Sequence, residues 1–137
     1  MKRNDLRALA TLRLREARLL LNHRHWDGAY YLAGYAVELA IKACIARRTE
    51  RFDFPDKDRA NKSWSHDLLP LLKTAALDGA LRQEETRDAD FLLNWNIVQG
   101  WEVDSRYNRN GEKEATDLIA AIEDRRHGVL RWLKQHW

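Results

Sequence analysis

Residues 26–45 read WDGAYYLAGYAVELAIKACI, a run without proline whose only helix-weakening residues are Gly28 and Gly34. On a helical wheel it is apolar around most of its circumference. Ala29, Ala33, Ala36, Ala40 and Ala43 form an arc of small residues, and Tyr30, Val37, Ile41, Cys44 and Ile45 form a bulky arc beside it. A helix apolar on nearly every side is a buried helix. The small arc lets a neighbouring helix come close, and the bulky arc fills a core. Between Asp27 and Arg47 there are two charges, Glu38 and Lys42, spaced four apart with the acid on the N-terminal side, the favoured order for a helical ion pair. Tyr31 and Tyr35 share their stripe. The central helix therefore carries one polar seam, Tyr31, Tyr35, Glu38 and Lys42, which is either a satisfied structural network or part of a binding site.

The 137 residues suit a single domain over 1–137. Twenty-four Lys and Arg stand against 21 Asp and Glu, a formal net charge of +3. That mild excess permits contact with nucleic acid without requiring it. The single cysteine, Cys44, cannot form an intrachain disulfide, and its apolar setting argues against a reactive thiolate; a reducing, cytoplasmic compartment fits. The Arg-rich N-terminus lacks the pattern of a signal peptide. The central stretch is long enough to span a bilayer, but Glu38, Lys42 and three tyrosines argue against a membrane partner. One cysteine excludes a zinc-type Cys/His cluster, and the five histidines are not spaced as ligands with acids. No metal and no cofactor are expected.

Around the central helix, the first helix begins near Asn4 or Asp5 and puts Leu6, Ala10, Leu14, Ala17 and Leu21 on its core face. Arg7, Thr11, Arg15, Arg18 and Asn22 make a basic ridge, either a solvated face or a contact for phosphates. Leu12 and Leu19 form a second apolar strip suited to another subunit. Arg13, inside the core arc, either reaches an acid such as Glu38 or snorkels to the edge. Asn22–His25 is a short turn between antiparallel helices. The charged stretch RRTERFDFPDKDRANKSWS, with Pro55, reads as an excursion. Ser65 or Asp67 then caps a short helix ending at Asp78–Gly79. A fourth helix spans about Ala80 to Ile97, and a fifth runs from about Glu112 to near the end. Trp64 and Trp101 are expected at partly exposed edges. The fold class is all-α, an up-and-down antiparallel bundle of four long helices plus one short helix.

Glycine-rich phosphate loops, G-x-S-x-G and H-E-x-x-H are absent. Arg106 and Tyr107, with Trp95 on the preceding helix and Trp101 in the turn, form a candidate corner for stacking a base and holding a phosphate. The alternative pairs Arg106 with Glu38 or a loop acid and leaves Tyr107 as a lid. His66 either caps its helix or lines the same corner.

Three segments carry a family resemblance. RLREARLLLNHRHWDGAYYLAGYAVELAIKA resembles the opening of HEPN domains (higher eukaryotes and prokaryotes nucleotide-binding), HDLLPLL resembles the family's H-[DS]-L..L segment, and WNIVQGWEVDSRY its W….RY segment. They stand in family order and cover nearly the whole chain. The resemblance implies a helical bundle of four to five helices and a homodimer. It also implies one of two activities. Many HEPN proteins are metal-independent endoribonucleases using an Arg and a His in an R-x4–6-H pattern across the dimer interface. There the RNA 2′-OH is the nucleophile, His moves the proton and Arg stabilises the phosphorane. Others bind nucleotide or RNA, or partner a minimal nucleotidyltransferase in a toxin–antitoxin or defence pair. The R-x4–6-H pattern fits Arg18 with His23 or His25, Arg59 with His66, and Arg131 with His136. At the family's usual late position, WEVDSRYNRNGEKE here, Arg106 and Arg109 stand without a histidine. The reading that follows is a nucleotide- or RNA-binding module using Tyr31, Tyr35, Glu38, Lys42, Trp95, Arg106 and Tyr107. The alternative is an endoribonuclease toxin using Arg59 and His66.

Overall fold

A computed structural model describes residues 1–52 and 57–137, without the side chains of residues 51 and 52. Among these residues all regular structure is helical: α1 (Arg3–Asn22), α2 (Trp26–Phe52), α3 (Lys57–Lys62), α4 (Leu68–Thr74), α5 (Asp78–Arg87), α6 (Ala89–Gln99), α7 (Glu112–Glu123) and α8 (Val129–Lys134), with a 3-10 turn at Val103–Tyr107. The all-α bundle holds. Two of the expected helices are each built as two segments, and the charged excursion is partly helical.

α2 is the axis. It touches α1, α4, α7, α8 and the 3-10 turn, and Ala29, Ala33, Val37, Ala40, Ile41 and Ala43 have no exposed surface. By length and composition Trp26–Glu50 would suffice to cross a membrane, but 67% of that window is buried inside the fold. Its apolar circumference is spent on other helices. α1 lies along it with Ala10, Leu14 and Ala17 inward. The link between them is a Schellman end: His25 N–H donates to Leu20 O at 2.9 Å and Arg24 N–H to Leu21 O at 3.1 Å. Arg24 takes φ 61° there, a left-handed position usually filled by glycine. α4 ends the same way, with Ala76 at φ 58° and Leu77 N–H donating to Leu72 O at 3.0 Å. Asp78–Gly79, expected to stop this helix, instead opens α5.

The excursion lacks an apolar period, yet α2 continues through Arg47–Phe52 and α3 forms with no buried residue. Arg, Glu, Lys and Asp at i,i+4 spacings support helix without a core face; Lys62 meets Asp58 at 3.4 Å. Pro55 lies outside the described residues.

The fourth expected helix breaks at Asp88. This residue leaves helical geometry (φ −135°, ψ 100°) and accepts from Asp90 N–H and Phe91 N–H, capping α6. The fifth breaks between Asp124 and Gly128. Gly128 N–H donates to Asp124 O at 3.0 Å, and a Cβ at position 128 would lie 2.3 Å from that same oxygen. Only glycine fits the close approach. The two breaks are joined, since His127 Nδ1 lies 2.7 Å from Asp88 Oδ2 and Asn94 Nδ2 donates to His127 O at 2.9 Å.

The His127–Asp88 tie is titratable. The hydrogen bond to Asp88 raises the His127 pKa above its ordinary 6.5, and the same bond lowers Asp88 below 3.8. The histidine's contribution is complete below about 6.5 and lost as pH rises through its raised pKa; the aspartate's is present above about 3.8 and lost as pH falls through its lowered one. The tie is therefore strongest between those values. Urea titrations should show the wild-type midpoint exceeding that of His127→Gln by more at pH 5.5 than at pH 8.5. A constant difference would mean that the tie does not titrate.

The basic ridge of α1 is largely engaged. Arg7 sits 5.1 Å over the Trp137 ring, and Arg18 pairs with Glu123. Leu12 and Leu19 stay exposed, at 40% and 54%. Trp132 and Trp137 both close the core, and Arg3 Nη2 donates to Trp137 O at 2.7 Å. Cys44 is buried with its thiol pushed up to about 12, chiefly by burial.

Candidate functional site

The seam of α2 is assembled as its spacing requires and completed by two other segments. Glu38 is 1% exposed. Its Oε1 receives Lys42 Nζ at 2.9 Å and faces His66 Nδ1 at 2.9 Å. Lys42 comes from the next turn of the same helix. His66 comes from the loop that leads into α4, and is set there by Asp67 N–H donating to Ser65 Oγ. Glu38 Oε2 is buried and has no hydrogen-bond partner among the described residues. A buried carboxylate oxygen in that condition needs an explanation, because desolvating it without a partner is costly.

One turn earlier on the same stripe lies Gly34, and the Trp101 indole rests on it. A Cβ at position 34 would fall 2.2 Å from Trp101 Cδ1 and Cγ. Glycine thus opens the backbone of α2 to a large ring. This reverses the expectation of a partly exposed edge at Trp101, which is 2% exposed; Trp64, at 80%, is more exposed than expected. Trp101 Nε1 is a second buried atom without a partner among the described residues. Tyr31 and Tyr35 stack with centroids 6.1 Å apart and planes within 3°, and Tyr31 also meets Trp101 at 6.1 Å. Burial, then Glu38 and Tyr31, raise the pKa of Tyr35, which keeps its hydroxyl a proton donor.

Trp101 leads directly into the 3-10 turn, which packs on α2 and delivers Arg106 and Tyr107. The Arg106 guanidinium lies 4.8 Å from the centroid of Tyr107, a cation–π distance. Tyr107 first, and then a hydrogen bond with Tyr31, hold the Arg106 pKa above its ordinary value. Tyr107 is 76% exposed. The loop after the turn is anchored by Asn110 N–H donating to Asp27 in the first turn of α2.

The structure thus brings together Tyr31, Tyr35, Glu38, Lys42, Arg106 and Tyr107, and adds His66 and Trp101. Trp95 does not join them. It is 1% exposed in the core, on the face of α6 that its neighbours Phe91 and Val98 also turn inward. Arg59 lies on α3 beside Asp58, Lys62 and Lys73, while the His66 ring meets Glu38. Arg13 does not pair with Glu38; it pairs with Glu16 at 2.8 Å. Asp88, Asp90 and His127 bring ligand-type atoms within 4.8 Å of one another, a grouping that sequence spacing hides. Asp88 is already occupied by capping α6 and by His127.

Chemically, the seam offers stacked rings, a cation held against an exposed ring, a second cation at Lys42, and a buried carboxylate with one free oxygen. Rings stack bases, guanidinium and ammonium groups hold phosphate, and a carboxylate accepts from a base edge or a sugar hydroxyl. A family model for the HEPN domain matches residues 4–135. No curated protein and no solved structure matches the chain.

Proposed function

The chain belongs to the HEPN domain family, a nucleotide- and RNA-related class of module, and from that premise we propose that it binds a nucleotide or a segment of RNA at the seam between α2, the 3-10 turn and the loop before α4. One observation carries the reading: the exposed Arg106 and Tyr107 lie together, guanidinium 4.8 Å from the ring, with Arg106 bonded to Tyr31, which stacks on Tyr35. The base stacks by Tyr107 and Tyr31, Arg106 and Lys42 hold phosphate, and Glu38 fixes Lys42 and His66 from within the fold. The working form is a homodimer, with Leu12 and Leu19 of α1 as its apolar contact, placed in the cytoplasm; a minimal nucleotidyltransferase is the protein partner that the family supplies for this role.

The test is equilibrium binding of a fluorescent ribonucleotide and a short oligoribonucleotide. Arg106→Ala and Tyr107→Ala should each weaken binding about tenfold, since a stacked base contributes about 1–3 kcal/mol, with the urea midpoint nearly unchanged because both side chains are exposed. Unaltered affinity in both variants would refute the site.

A second reading has its own support. The Glu38–His66 pair has the form of a carboxylate orienting a histidine, the arrangement that serves general acid–base catalysis. It supports a metal-independent endoribonuclease in which His66 moves the proton and Arg59 or Arg106 faces the phosphate. RNA incubated with the protein in excess EDTA distinguishes the two. The binding reading expects intact RNA. Cleavage that survives the chelator and disappears in His66→Ala would replace it with the nuclease.

A further inference from the structure

One tryptophan is set apart from the rest. Of the six in the chain, Trp95, Trp101, Trp132 and Trp137 are buried, and Trp26 packs partly against the core. Trp64 is 80% exposed. Folding covers most of a tryptophan on average, because the ring carries a large apolar surface.

Trp64 stands in the turn between α3 and α4, and the backbone of that turn is hydrogen-bonded on both sides of it. Ser63 N–H donates to Arg59 O at 3.0 Å, Trp64 N–H to Asn61 O at 3.2 Å and Ser65 N–H to Lys62 O at 3.2 Å. Ser65 Oγ accepts from Asp67 N–H at 3.1 Å, and the His66 ring meets Glu38 Oε1 at 2.9 Å. The turn is thus fixed to α3, to the start of α4 and to the middle of α2, while the indole itself is left in water. Two steps along the chain lead from Trp64 to His66, so their Cα atoms lie within about 7 Å. The exposed ring adjoins the seam at its Glu38 end.

The other end of the seam is Tyr31, where Arg106 and Tyr107 lie. Tyr31 and Glu38 are seven residues apart on α2, about 10 Å at 1.5 Å per residue. Bases stacked along one strand are spaced about 3.4 Å apart. Passing from Tyr31 to the level of Glu38 therefore takes about three nucleotides, and a mononucleotide occupies one end only.

We infer that Trp64 is a second stacking platform, and that the seam takes an oligoribonucleotide of about four residues or more, with one base on Tyr107 and Tyr31 and another on Trp64. The class of ligand rests on the function proposed above; the platform rests on the exposure of Trp64 and the anchoring of its turn beside the seam. Stacking on an aromatic ring is tolerant of sequence, so two platforms select for length and for unpaired bases, not for base order.

The experiment compares the binding of a fluorescent eight-nucleotide RNA with that of a fluorescent ribonucleoside triphosphate. Trp64→Leu removes the ring and keeps an apolar side chain, and at this exposure the urea midpoint should match that of wild type. The variant should bind the RNA about tenfold more weakly, the loss of one stacked base, and bind the triphosphate as wild type does. Trp64→Phe restores a ring and should recover part of the loss. Bound RNA should also shield wild-type tryptophan fluorescence from iodide, and the triphosphate should not. Unchanged RNA affinity in Trp64→Leu, with Arg106→Ala still weakening both ligands, would overturn the platform and leave the seam standing. A loss that Trp64→Phe does not recover would show an apolar contact in place of stacking. A triphosphate weakened as much as the RNA would overturn the length requirement. RNA weakened by Trp64→Leu but indifferent to Arg106→Ala would keep the platform and remove the seam. Absence of binding by either ligand would overturn both.

Discussion

Replacing Gly34 with alanine is expected to destabilise the protein by about 2–4 kcal/mol, although the same change in an exposed helix stabilises by about 1 kcal/mol. The sign turns on one contact. The new Cβ would lie 2.2 Å from two atoms of the Trp101 ring, a distance that no rotation of the indole on its present seat can relieve. Trp101 must leave a site where it is 2% exposed, and losing a buried tryptophan costs about 3–5 kcal/mol. The helix-propensity gain offsets only a fraction. Position 79 provides the contrast, because a Cβ there meets nothing within 4 Å, and Gly79→Ala in α5 should be neutral or mildly stabilising. Urea unfolding of the two variants measures both signs. Gly34→Ala should also weaken nucleotide binding while Arg106 itself is unaltered, because Trp101 seats the turn that carries Arg106. A Gly34→Ala protein as stable as Gly79→Ala would mean that the indole does not rest on α2.

The second large effect is at Glu38. Glu38→Ala leaves Lys42, whose side chain is 19% exposed, and His66 without their shared carboxylate. Breaking a buried ion pair from one side costs about 3–5 kcal/mol; the partial exposure of Lys42 places the expected loss near 3 kcal/mol. Removing both charges together is different. Glu38→Gln/Lys42→Met keeps volume and discards the desolvation of two ions, and should recover most of the loss. Stability and binding then separate: the double variant should unfold near the wild-type urea midpoint and still bind nucleotide at least tenfold more weakly. A double variant that is stable and binds normally would make the seam a structural network and no more.

How much of this was legible in the sequence depends on the range of the interaction. The seam needed only helical periodicity, because Tyr31, Tyr35, Glu38 and Lys42 lie on one stripe of one helix, and the Glu38–Lys42 pair forms at its i,i+4 spacing. The all-α bundle followed in the same way from α2 and from the core face of α1. What joins the seam from elsewhere was readable only as alternatives, His66 as a helix cap or a corner residue and Arg106 as a ligand corner or an ion pair. His66 reaches Glu38 across 28 residues, and nothing local in HDLLPLL fixes the partner of its ring. The frequent partial exposure of tryptophan points Trp101 to an edge; the signal against it is Gly34, a glycine in the middle of an otherwise strong helix, which marks a place where something large comes close. The breaks at Asp88 and at Asp124–Gly128 also had local signs, a capping aspartate before Ala89 and a glycine after a charged run, but the apolar period runs on through both and hides them. Trp95 sits on the buried side of its helix, as the period of Phe91, Trp95 and Val98 requires, and that burial keeps it from the corner near Arg106.

The central claim is that the stacked rings and Arg106 are where the ligand lies. Photocrosslinking tests it directly: a short RNA carrying 5-iodouridine, irradiated on the wild-type protein, with the labelled peptides identified by mass spectrometry. The account predicts crosslinks on Tyr107 and on the α2 peptide containing Tyr31 and Tyr35, lost when unlabelled RNA competes. Competed crosslinks that spare all three tyrosines would contradict it.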